Sequence, residues 1–144
     1  MTSVLPRPRW VTLAASVAVA FGALTVASGG LALFGSAGMR ARFGDSVPFV
    51  LWFNFLSGFA YVLAGVGIFL RKRWGGQLSA LIAMATLAVF AAFGWYVASG
   101  NAFEMRTVGA LMLRSGVWIA IAVMSCRGLG CARPPSRLLG WRRQ

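Results

Sequence analysis

The chain has 144 residues, 59% hydrophobic and 11% charged, with a net charge of +12. Ordinary soluble domains carry about 25% charged residues, so this chain has too little polar surface to clothe a water-soluble fold. With no histidine and two acids, Asp45 and Glu104, it lacks the commonest general base, the commonest metal ligand and most paired-carboxylate chemistry. The basic residues flank apolar blocks instead of lining a polar face, which argues against a nucleic-acid partner. Arginine supplies nearly all of the 14 basic residues, a bias that fits a GC-rich bacterial source.

The first block, 10–34 (WVTLAASVAVAFGALTVASGGLALF), is 25 residues without a charge. A bilayer core needs about 20 helical residues, so the block is expected to span. Arg7 and Arg9 precede it like the n-region of a signal peptide, but a signal core runs to only about 7–15 residues. An uncleaved first helix is therefore expected, although Thr25–Gly30 is small enough to be cut. A short polar connection, 35–46 (GSAGMRARFGDS), leads to Pro48, where Asp45 or Ser46 would cap a new helix.

The second block, 47–70, has no formal charge and ends at Arg71, Lys72, Arg73 and Trp74. A basic cluster beside an interfacial tryptophan is the usual edge of a cytoplasmic leaflet, and these three cations are expected to meet anionic lipid head groups. The third block, 77–98, closes on Trp95-Tyr96, another belt pair. The fourth, 107–125, holds one charge, Arg114, and is followed by a basic tail, 126–144, broken by Gly128, Gly130 and Pro134-Pro135. The expected fold is all-α: one domain, an integral membrane bundle of four transmembrane helices.

Orientation follows from the cations. The N-terminus, the second connection and the tail hold ten lysines and arginines, whereas the other side has Arg40, Arg42 and Arg106. The positive-inside rule then places both termini in the cytoplasm, in a bacterial inner membrane.

Small residues at four-residue spacing are expected to bring helices together. These are Ala14, Ala18 and Gly22 in the first helix and Ser79–Ala83 and Ala88–Ala92 in the third, while Asn54, Gly58, Tyr61 and Gly65, at spacings of four, three and four, share one stripe of the second.

Arg114 is the unusual residue. A charge within a span costs about 2.5–3.5 kcal/mol even on the lenient insertion scale. It lies eight residues beyond Arg106, roughly 12 Å of helix rise, and Asn54 lies seven beyond Val47, roughly 10 Å. Both helices run in the same direction, so the two side chains should share a depth. Ser57 and Tyr61 follow on the second helix, and Thr25 and Ser28 lie at comparable depth on the first. Two readings stand. Asn54, Tyr61, Glu104 and Arg114 form a polar pocket for an anionic or quinone-like head group or a lipid phosphate. Alternatively, Arg114 snorkels to the interface and pairs with Glu104 or a lipid. Glu104 otherwise suits the first turn of the fourth helix by the helix dipole.

Cys126 and Cys131 (CRGLGC) fall at the basic end. Their spacing matches no strong zinc pattern, and a reducing cytoplasm disfavours a disulfide. Free thiols are expected, with soft-metal contact such as Cu(I) a weaker alternative. The first helix has no carboxylate, unlike that of small multidrug transporters. No cofactor is expected.

Three functions are consistent with these residues. The first is a non-enzymatic accessory or assembly subunit of a membrane complex, with other membrane subunits or its own copies as partners. The second is a small transporter or carrier using the Asn54–Arg114 pocket. The third is a quinone-linked redox subunit acting with a partner.

Overall fold

The computed structural model describes residues 8–38 and 47–131. Arg7, Arg40, Arg42, Asp45, Ser46 and the tail beyond Cys131 lie outside the described residues. Four helices follow one another: α1 (Arg9–Phe34), α2 (Pro48–Phe69), α3 (Arg73–Ala98) and α4 (Met105–Leu129). Each is long and apolar enough to cross a membrane, and no strand occurs among the described residues.

The helix ends explain where the observed boundaries depart from the expected ones. Pro48 occupies the first turn of α2, where its missing N–H costs nothing. The α2–α3 connection is only Leu70–Lys72. Arg71 takes a left-handed φ of 55°, and the Lys72 N–H reaches back to the Gly67 carbonyl at 2.9 Å. Arg73 and Trp74 therefore begin α3 instead of closing α2. At the far end α4 continues four residues past Ser125. Gly130, at φ 70° and ψ 51°, ends it in the left-handed conformation that glycine adopts without a steric penalty.

Contacts at the helix ends show an up-down-up-down bundle. At the basic end the ring of Trp74 covers Gly67, Gly76 faces Ser125 and Cys131, and Trp10 rests on Gly128. At the other end Phe34 meets Trp52 and Phe55, Phe49 meets Tyr96, and Phe93 meets Phe103. The outward surface is apolar, with Leu13, Leu24, Leu56, Leu63, Leu81 and Leu113 all exposed. That is the reverse of a soluble protein and suits contact with lipid.

Glycines set the closest approach. A β-carbon at Gly58 would lie 3.1 Å from the Gly22 carbonyl oxygen, and one at Gly65 would lie 3.1 Å from that of Ala15. The stripes expected on the first two helices thus mesh along most of α1 and α2, where dispersion and close packing replace a hydrophobic drive. On α3, Ser79 and Ala83 are buried, but Ala88 and Ala92 are exposed. The buried face advances through Ser79, Ile82, Thr86 and Phe93, following the 3.6-residue period, and Ala88 and Ala92 fall off it. Ser79 and Thr86 stay satisfied there by donating to the Gly75 and Ile82 carbonyls, each at 2.8 Å.

Two cores result. The larger, towards the basic end, centres on Ala18, Tyr61, Ile68 and Trp118. The smaller, at the other end, joins Val47, Val50, Phe93 and Leu111.

Candidate functional site

Arg114 lies on the inner face of α4, 7% exposed. Its Nη1 donates to Asn54 Oδ1 across the bundle, the contact that the equal-depth argument anticipates. The guanidinium carbon also lies 5.9 Å from the Phe21 ring centroid and 5.8 Å from that of Tyr61. At about 6 Å each ring face attracts a cation. Side chains from α1 and α2 thus surround the one charge that α4 carries among apolar neighbours. Its Nε is buried with no hydrogen-bond partner among the described residues.

The arginine forms the inner limit of a cavity of about 220 Å³ bounded by α1, α2 and α4. Ser28 and Gly29 line it from α1, Val50 and Asn54 from α2. Arg106 and Thr107 line it from α4, and half-buried Glu104, the residue before the helix, stands at its rim. Glu104 occupies the N-cap position without a side-chain capping bond, one residue earlier than the first turn expected for it.

Asn54, Glu104 and Arg114 therefore come together around one space. Tyr61 does not line it. Its ring is fully buried beneath the arginine, with the Trp118 ring centroid 4.5 Å away and that of Phe21 6.0 Å away. Tyr61 supports Arg114 from below, and its hydroxyl, like Trp118 Nε1 and Ser115 Oγ, is buried without a partner among the described residues. Ser57 bonds its own helix, donating to the Asn54 carbonyl at 3.1 Å, and Thr25 is buried in α1.

Arg106 and Thr107 were legible in principle. They precede Arg114 by eight and seven residues, two helical turns, and so share its face. Nothing in the spacing of α1 marks Phe21, because a cation–ring contact between helices depends on how the helices sit together.

The cysteines correct an expectation. They are not free thiols: Cys126 and Cys131 form a disulfide, their Cα atoms 4.7 Å apart. Both sulfurs are used in the bond, so the soft-metal alternative at Cys126 and Cys131 does not fit this state. The cause is the helix end. Gly130 reverses the chain, and the N–H groups of both Gly130 and Cys131 return to the Cys126 carbonyl, at 3.0 and 3.3 Å. This Schellman closure lays the residue after the cap over the one a turn before it. No group of three or more metal-ligating side chains occurs among the described residues.

No known protein family matches this chain, and neither a characterised protein nor a solved structure is similar to it.

Proposed function

We propose that this chain is a multi-pass bacterial inner-membrane protein, both termini cytoplasmic, acting as a non-enzymatic binding protein or carrier for an anionic group. Arg114 carries the reading. A residue needed only for packing there would be apolar, because a charge in a span costs about 2.5–3.5 kcal/mol. Instead a guanidinium is held by Asn54, Phe21 and Tyr61 at the inner limit of a cavity, its buried Nε without a partner among the described residues. A second cation, Arg106, lies among the same lining residues, and an anion there would take charge-assisted hydrogen bonds. The cations gathered at the Arg71–Arg73 end support the orientation and contact with anionic head groups.

The test is ligand-induced stabilisation of purified protein. Inorganic phosphate should raise the melting temperature of the wild type with the logarithm of its concentration above Kd, as binding to the native state requires. Arg114→Gln should melt at a phosphate-independent temperature. Equal shifts in both proteins would refute the reading.

A second reading, an accessory or assembly subunit, draws on one observation. Ala88 and Ala92 of α3, and Gly116 and Ala120 of α4, face outwards at four-residue spacing, a pattern that lets a further helix approach closely. Gentle solubilisation and identification of stoichiometric co-purifying subunits tests it.

A further inference from the structure

α1 and α4 meet at the basic end, where the Trp10 ring lies on Gly128. At the opposite end the same two helices supply facing walls of the Arg114 cavity, Ser28, Gly29 and Ala32 from α1, Thr107 and Ala110 from α4, with α2 behind them. The cavity thus occupies the place where α1 and α4 part. In a bundle this seam faces the lipid.

Size narrows what can bind. Pockets that enclose a small-molecule ligand are commonly about 300–1,000 Å³, whereas this one is about 220 Å³. It has room for a compact head group and leaves a larger ligand partly outside. Arg114, Asn54, Arg106 and Glu104 lie at the inner limit and rim; Ser28 and Thr107 add two hydroxyls, and Gly29, Ala32, Val50 and Ala110 belong to the apolar remainder of the lining. Among the described residues the lining sets two cations against one carboxylate, which favours a net negative ligand. Resting on the anion-binding reading above, we infer that the anion is the phosphate-bearing head group of a membrane amphiphile, which enters sideways between α1 and α4 and leaves its acyl chains in the bilayer.

The experiment uses the full chain in detergent, with phosphatidylglycerol, phosphatidylcholine and inorganic phosphate as separate probes. Native mass spectrometry reads retained lipid, and thermal shift reads phosphate. The wild type should retain the anionic lipid in preference to the zwitterionic one, and Arg114→Gln should weaken retention by on the order of tenfold or more, the loss expected for a charge-assisted hydrogen bond. Ala32→Trp and Ala110→Trp fill the seam with bulk and leave every polar group in place. They should abolish lipid retention, while the Arg114-dependent response of the wild type to inorganic phosphate reads the anion site separately. Arg114→Lys, which keeps the charge, guards against a variant that fails to fold by retaining part of the preference.

Phosphate binding that depends on Arg114, with lipid retention unaffected by the two tryptophans, would overturn sideways access and leave the anion site standing. Probes indifferent to Arg114 would remove the anion site itself. A neutral quinone recovered from the wild type and lost in Arg114→Gln would also overturn the phosphate assignment.

Discussion

The two ends of this bundle are built on opposite principles. At the basic end glycines let backbones touch: a β-carbon at Gly75 would stand 2.5 Å from the Gly67 carbonyl carbon. A disulfide fastens the last turn of α4 beside Gly76. At the other end Phe34, Trp52 and Phe55 stack edge to face, and between α1, α2 and α4 a cavity remains, bounded by a charge. Small side chains close a membrane bundle because contact area between backbones is the available attraction there. Where α1 and α4 make no such contact, room remains. A ligand site belongs at the second kind of end, and rigidity at the first.

That contrast can be broken at several points. The largest effect should come from the closed end. Gly75→Leu has no space without moving the α2 backbone, and overpacking of this kind costs about 3 kcal/mol or more. Loss of monodisperse protein on size exclusion, or a collapse of melting temperature, is the expected outcome.

At the open end, Asn54→Leu removes the hydrogen-bond partner of a buried guanidinium. Hydrogen bonds to charged groups are worth about 1.5–3 kcal/mol, and thermal or denaturant unfolding should show a loss in that range. Asn54→Gln, which keeps the amide, should recover part of it.

Reduction of Cys126–Cys131 should come next. A thiol-reactive label should modify neither cysteine in purified protein before reductant and both after it. Closing so short a loop is worth about 2 kcal/mol in the chain-entropy model, so Cys126→Ser should lower stability by up to that amount. In the proposed orientation the pair faces the compartment where thiol reductants act, and labelling in intact cells then reads its state there.

The smallest effect sharpens the comparison from the other side. Gly94 and Gly116 have nothing within 4 Å of where a β-carbon would stand. Gly116→Leu should shift stability by no more than about 0.5 kcal/mol, and upward, since glycine is a poor helix former. A large loss would mean that this face is covered by another helix, which would favour the accessory-subunit reading.

Much of the fold was legible because hydropathy over some 20 residues is a strong signal and few structures cross a bilayer. The Asn54–Arg114 contact was legible too. Helix rise fixes depth, and two polar groups at one depth in an apolar medium find each other. The cysteine pair was not, because the expected reducing compartment argued against a disulfide and an α4 expected to end at Ser125 stops before both residues. Four more residues of helix, ended by Gly130, turn the same spacing into a closed loop. Tyr61 shows the limit of a helical stripe as a guide. It shares a face with Asn54, yet the ring of Trp118 beside it makes it a floor support and not part of the wall.

The three-residue turn between α2 and α3 bears on biosynthesis. With only Leu70–Lys72 separating them, these two helices are set to leave the insertion machinery as a hairpin. Asn54 is then already in place when the ribosome delivers α4 and its arginine. The most costly side chain in the chain arrives last, to a waiting acceptor, so order of synthesis lowers the barrier that Arg114 would face alone.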